Sequence, residues 1–196
     1  MPPIRSLAYR TDLFCLGARS QVIERDGYRV LRSPDHPGFF WGNLLLFERA
    51  PRIGDDVRWV KCFDTEFADM PQVRHRTFGW DDPEGTQGDA QAFVARGYDL
   101  EVSRTLCAES IHAPPNALEQ LEVRPLVSDA DWSAATENQL ACHDGEYQVQ
   151  LHRDFKLRRM AEYRSMAEAG KGHGYGAFLD GRLVADLGIY HDGEVA

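Results

Sequence analysis

Phe39, Phe40 and Trp41 stand together in front of Gly42 and Asn43. Aromatic side chains on a loop can line an apolar pocket, and an amide such as that of Asn43 can fix a ligand's orientation in it. The same rings could instead cap the core beneath them, because large aromatics serve burial more than ligands. His143-Asp144-Gly145-Glu146 and His191-Asp192-Gly193-Glu194 repeat one acidic-histidine tetrad. Asp-Gly is chiefly a turn former, and neither a His-x-x-x-His pair nor clustered carboxylates accompany it, so no metal is expected. Cys142 precedes His143, the residue types of a thiol nucleophile and its base, but adjacency in sequence does not aim one at the other. Gly170 to Gly176 (GKGHGYG) has the glycine content of a phosphate cradle in the wrong order. A phosphate loop leads from strand into helix, whereas here a helix leads into a strand, so a helix stop with a flexible connection is the better reading. Arg153, Lys156, Arg158, Arg159 and Arg164 belong to one helical pattern and could meet an acidic cofactor or an acceptor; a solvated helix face is the plainer reading. No Gly-x-Ser-x-Gly setting for a serine nucleophile occurs.

The elements that must position these residues are legible in outline. Residues 1–20 are ambiguous. Residues 28–32 (YRVLR) alternate weakly, and 43–47 (NLLLF) is a short apolar run expected to be a buried strand. Asp55 and Asp56 suit the positive end of a helix dipole, and Val57, Val60, Phe63 and Phe67 follow at helical spacing up to Met70-Pro71. Residues 73–80 (VRHRTFGW) alternate as a strand. Residues 89–96 read as a short helix with Gly97 as its stop. Residues 98–106 (YDLEVSRTL) carry Leu100, Val102 and Leu106 in a period-two pattern, which predicts a strand. Pro114-Pro115 excludes regular structure and marks a linker.

A second unit follows: a strand over 121–126, a helix capped by Ser128 and running to about residue 142, a turn at 143–146, a second helix containing Leu151, Phe155, Tyr163 and Met166, and a hairpin turning at Asp180-Gly181. The order predicts an α+β fold with mixed, largely antiparallel sheets and flanking helices, in two domains, 1–116 and 117–196. Glu194-Val195-Ala196 reads as the start of a further strand.

The chain has 196 residues, 43% hydrophobic and 27% charged, which suits one ordinary domain or two small ones. A net charge of −9 argues against general nucleic-acid binding, which needs a basic surface. No apolar run is long enough to span a bilayer and no signal peptide is evident, so neither membrane nor secretion is expected. Cys15, Cys62, Cys107 and Cys142 lie far apart, which suits reduced thiols in a cytoplasmic protein.

In the second unit EVRPLVSDADW, FKLRRMAEYRSMAEAG and GAFLDGRLVADLGIY, in that order, resemble the opening of a GNAT-superfamily N-acetyltransferase: first strand and helix, second helix, then second and third strands. In the first unit SPDHPGFFWGNLLLF, DDVRWVKCFDTEF, VRHRTFGWD and AQAFVARGYDLEVSRTL are similar to the amino-terminal half-domain of one bacterial branch of these enzymes. The resemblance implies an acyl-CoA N-acyltransferase-like fold whose second domain is incomplete. It also implies transfer of an acetyl group from acetyl-CoA to a small-molecule or peptide amine.

In that superfamily a fourth strand splays from a fifth to hold the pantetheine arm, and an Arg/Gln-x-x-Gly-x-Gly/Ala loop at a helix start holds the pyrophosphate. That loop would follow Ala196, so no cofactor-binding residue is expected in this chain and no catalytic residue is named. The acceptor is expected near residues 39–43 and 143–152, with Phe40, Trp41, Asn43 and Tyr190 as substrate-side candidates. The alternative is a non-catalytic truncated relative serving as a binding or oligomerisation module, including a homodimer formed through an open strand edge.

Overall fold

The structure is a computed structural model that describes all residues except 1, 111, 114, 115, 117, 143, 144, 146–148 and 195. It is α+β and divides into two compact units, Met1–Leu106 and Cys107–Ala196. The boundary therefore falls before the proline pair expected to mark the linker, and that pair lies outside the described residues.

The first unit holds a four-stranded sheet in the order β1 (Gln21–Arg25), β2 (Tyr28–Arg32), β3 (Leu44–Phe47), β4 (Phe78–Trp80). β1, β2 and β3 are antiparallel neighbours, and β4 runs parallel to β3. All four residues of β3 are buried because both faces of the sheet are covered, which is why its sequence is an unbroken apolar run rather than an alternation. Leu44 and Leu46 join Leu31 on the face packed by Ile4, Tyr9, Leu13 and Leu16, the last residues lying on or beside α1 (Leu7–Phe14). Leu45 and Phe47 join Val30 on the opposite face, under α2 (Asp55–Glu66).

The buried line of α2 is Asp55, Trp59 and Phe63, continued by Phe67, an i, i+4 row. Phe63 and Phe67 are buried as expected, and the rest of the expected face is corrected: Val57 is exposed and Val60 half-buried. Trp59 takes the centre, stacked on Phe47 with ring centroids 3.6 Å apart and planes 5° from parallel. Burying one such ring contributes about 4–6 kcal/mol before entropy is counted. α3 (Ala90–Val94) adds Phe93 to the same aromatic core, and Gly97 closes it at a φ of +88°.

The second unit is a three-stranded antiparallel sheet in the order β5 (Glu122–Pro125), β6 (Gly172–Leu179), β7 (Arg182–Tyr190), with α4 (Asp129–Ala141) and α5 (Val149–Glu168) on one face. Leu126, Trp132, Ala135, Met160 and Phe178 form its core. A Cβ on Gly174 would come within 2.9 Å of Trp132 Cη2, and one on Gly176 within 2.9 Å of Leu126 Cδ2, so these glycines admit the core side chains to the sheet. The Asp180-Gly181 turn has positive φ at both residues, as a two-residue hairpin of this kind requires. The other face of the sheet, with Val123, Leu179, Leu187 and Ile189, is exposed.

Three further expectations need correction. Residues 98–106 form no strand among the described residues, and 101–106 are exposed throughout; no described strand pairs with them. The strand expected over 73–80 is confined to β4. The glycine-rich stretch is a connection only as far as Gly170 and Lys171; from Gly172 onward it is β6. No helix among the described residues is long and apolar enough to cross a membrane.

Candidate functional site

The aromatic loop ends in a single 3₁₀ turn, Phe40–Gly42, that leads into β3. Asn43 is fully buried. Its Oδ1 accepts from Ser33 N–H at 2.9 Å, and its Nδ2 donates to His36 O at 2.8 Å and Phe39 O at 3.0 Å. The amide expected to orient a ligand thus closes its own loop, with both amide hydrogens spent on backbone carbonyls. Phe40 and Trp41 are 40% and 37% exposed. Phe40 meets the ring of His75 edge-on at 4.4 Å. Burial holds the His75 imidazole below its ordinary pKa, against a weaker opposing contact with the Asn43 carbonyl. Phe40 and Trp41 accordingly form a small aromatic surface on a loop fastened from beneath.

The turn between β3 and α2 is a place in the first unit where a helix start follows a strand. Gly54 caps α2 with a φ of +85°, a geometry open to anions. Two carboxylates of the chain already occupy that first turn. Asp55 Oδ2 accepts from Arg52 N–H at 2.9 Å and Arg49 Nη1 at 2.8 Å, while Arg58 reaches Oδ1 at 2.7 Å. Burial pushes the Asp55 carboxyl up, but these partners outweigh it and hold it below the usual range. Asp56 pairs with Arg96 at 2.6 Å. The parallel strands also stay joined at their carboxyl ends: Asp81 N–H donates to Phe47 O at 2.8 Å, beyond the last strand pair. Arg5 covers the Glu48 and Asp81 carbonyls, and Asp81 accepts the Arg5 and Ser6 amides at 2.8 Å each.

In the second unit a polar group sits where α4 and α5 meet β7. Asp186 Oδ1 accepts from Asn138 Nδ2 at 2.6 Å and Oδ2 from Gln139 Nε2 at 2.7 Å. Gln139 Oε1 accepts from Lys156 Nζ at 2.8 Å. Each Asp186 oxygen keeps a further lone pair, so this carboxylate can receive an ammonium or another N–H donor. Asp186 is not among the candidates that the sequence suggests, although a charge at an inward-facing position of an apolar alternation is a readable signal. Tyr190, four residues along the same face, is buried and stacked on Tyr163 at 5.2 Å. Arg159 donates to Tyr163 Oη at 2.8 Å and pairs with Glu162 at 2.8 Å.

The arginine-rich helix is therefore not a uniformly solvated face. Arg159 is buried, Lys156 belongs to the Asp186 group, and Arg164 pairs with Asp129 at 2.6 Å and Glu168 at 2.8 Å. His143, Asp144 and Glu146 lie outside the described residues. In the second tetrad Glu194 N–H donates to Asp192 Oδ1 at 2.9 Å, an Asx turn. Among the described residues no three His, Cys, Asp or Glu side chains gather as a metal-ligand set, and no disulfide joins the cysteines.

Comparison with known proteins yields no match to a family model, a curated protein or a solved structure.

Proposed function

We propose that the second unit is the opening portion of a GNAT-type N-acyltransferase domain, whose reaction is transfer of an acetyl group from acetyl-CoA to an amine. The observation that carries this reading is the order β5–α4–α5–β6–β7 with both helices on one face and antiparallel pairing β5-β6-β7. That is the arrangement the sequence resemblance implies. The Asp186 group supports it from the chemical side, because an ionised carboxylate with spare lone pairs suits a protonated amine.

The residues described do not fit the cofactor. The turn in the first unit where α2 starts after β3 is already filled by Asp55 and Asp56, paired with Arg49, Arg58 and Arg96, so it is no open cradle for a pyrophosphate. The β3–β4 pair is closed through Asp81, so it has no slot for a pantetheine arm. Within the first unit Asn43 fastens the loop that carries Phe40 and Trp41, and within the second Tyr190 packs on Tyr163.

The test is transfer of labelled acetyl from acetyl-CoA to a panel of aminoglycosides, polyamines, amino acids and lysine peptides by the full product of the reading frame. Labelled amine, lost in Asp186→Asn with the fold intact by circular dichroism, supports the reading. No labelled amine from any class overturns it.

A second reading, assembly through an open strand edge, is favoured by a specific observation: among the described residues β7 pairs only with β6, and its nine residues carry an apolar exposed face.

A further inference from the structure

We propose that residues 99–106 of one copy add as an edge strand to β7 of a second copy, in a reciprocal exchange that closes a dimer. The inference rests on the assembly reading and names the strand that fills the edge.

The donor is a strand sequence without a sheet. Leu100, Val102 and Leu106, with Arg104 on the same face, alternate with Asp99, Glu101, Ser103 and Thr105; the long Arg104 stem can lie along the sheet with its charge in water. Such a period suits a surface with one apolar face. Yet the segment makes no ladder, and Val102 and Leu106 are 66% and 92% exposed. Tyr98 anchors its start, packed against Phe78 and Phe93 with centroids 5.7 and 5.8 Å away. Beyond that anchor Leu100 is half-buried, and nothing among the described residues covers Val102 or Leu106.

The acceptor is the edge of β7 that no described strand pairs. Leu187 is 64% and Ile189 47% exposed on the face away from the helices. An antiparallel register that sets Val102 opposite Leu187 also sets Leu100 opposite Ile189, both on that apolar face. It places Ser103 opposite Asp186 on the inner face, where a hydroxyl can donate to the carboxylate. Glu101 falls opposite Gly188, which offers no side chain to clash with it. Apolar cross-strand pairs of this kind stabilise antiparallel ladders.

The size of the contact favours a second copy. Eight residues at about 3.4 Å each make a strand of about 27 Å, and a sheet is about 10 Å thick, so one edge contact covers roughly 270 Å² on each partner. Two exchanges related by a two-fold axis bury about 1,100 Å² in all, near the lower limit for a specific interface, whereas a single strand addition buries half of that. Donor and acceptor lie on every chain, so two copies complete the exchange with no other component. The size predicts a reversible dimer rather than a permanent one.

Sedimentation velocity across about 1–200 µM, paired with hydrogen exchange read by mass spectrometry, tests it. The expected result is a monomer–dimer equilibrium, with amides of 99–106 and of β7 gaining protection together as concentration rises. Val102→Asp, at an exposed position, raises the dissociation constant by about tenfold or more, because a carboxylate would be set against Leu187. A monomer at every concentration overturns both the inference and the assembly reading. A dimer indifferent to Val102→Asp, or one without protection at 99–106, overturns the exchange and leaves assembly by another surface. Protection of 99–106 that is independent of concentration overturns it in favour of pairing within one chain.

Discussion

Replacing Asn43 by alanine removes the fastening of the aromatic loop, and the structure sets the size of the effect. Three hydrogen bonds disappear: Ser33 N–H to Oδ1, and Nδ2 to the His36 and Phe39 carbonyls. At about 1 kcal/mol net for each, the loss is about 3 kcal/mol. Ser33 is 2% exposed, so its N–H gains no easy replacement from water. With a urea dependence of about 2 kcal/mol per molar, the unfolding midpoint falls by about 1.5 M. Hydrogen exchange across residues 28–47, measured through a urea series, reads this in the first unit alone. Phe40→Ala and Trp41→Ala remove partly exposed rings and should cost less than about 1 kcal/mol each. An Asn43→Ala loss below about 0.5 kcal/mol would refute the fastening role. Loss of amine binding with stability unchanged would restore the ligand-orienting role that the sequence suggests.

The remaining predictions concern one cap, one close approach and one phenol. Asp131 completes a capping box with Ser128 and pairs with Arg124, whose guanidinium lies 3.9 Å from the centre of the Phe178 ring. Asp131→Ala should destabilise the second unit by about 1–2 kcal/mol, mostly through the cap, since Arg124 is substantially exposed. Arg124 first, then the Ser128 amide, holds the Asp131 carboxyl well below the usual range. Its contribution is thus complete above about pH 4 and is lost as pH falls further, and urea midpoints in Asp131→Ala should lack that share of the acid dependence. Gly174→Ala places a Cβ 2.9 Å from Trp132 Cη2 and 3.1 Å from Leu126 Cδ1, and should lower the second unit's stability by about 1–3 kcal/mol in the same assay. Burial, reinforced by Asp12 and Asp81, pushes Tyr9 up to about 12. Its stabilising share is full below the unfolded value of about 10 and is lost as pH rises towards 12, so Tyr9→Phe should flatten part of the alkaline decline in the first unit's midpoint.

Much of the fold is written in local signals, and the places where structure departs from them have physical causes. Asp180-Gly181 announces its hairpin, and Asp26-Gly27 also turns the chain in two residues between β1 and β2, there with positive φ at Gly27 alone (+79°). β1 itself gives little sequence signal, because QVIER has only a short apolar centre and its residues are largely exposed. Helix α2 is legible from its acidic start and the Met70-Pro71 stop. Of its buried face Phe63 and Phe67 are legible, but Trp59 is not, because helical spacing permits neighbouring rows and the stacking of Trp59 on Phe47 selects one. The alternation in 98–106 reports suitability for a sheet, not the presence of a neighbour. Asn43 shows the limit for site reading: an amide beside aromatics looks the same in sequence whether it binds a ligand or fastens a loop. The Asp186 group joins residues from α4, α5 and β7, and its spacing of 47 and 48 residues to Gln139 and Asn138 leaves no local pattern.

The most direct measurement of the acyltransferase claim is calorimetric titration of acetyl-CoA into residues 1–196 and, in parallel, into the full product of the reading frame. The account predicts no saturable heat from residues 1–196, because carboxylates occupy the start of α2 and the β3–β4 pair is closed. Where the reading frame continues beyond residue 196, it predicts saturable binding by that longer product, with new amide protection along β7. Absence of binding by that longer product would contradict the acyltransferase reading. Saturable binding by residues 1–196 would contradict the account of the β3–α2 turn.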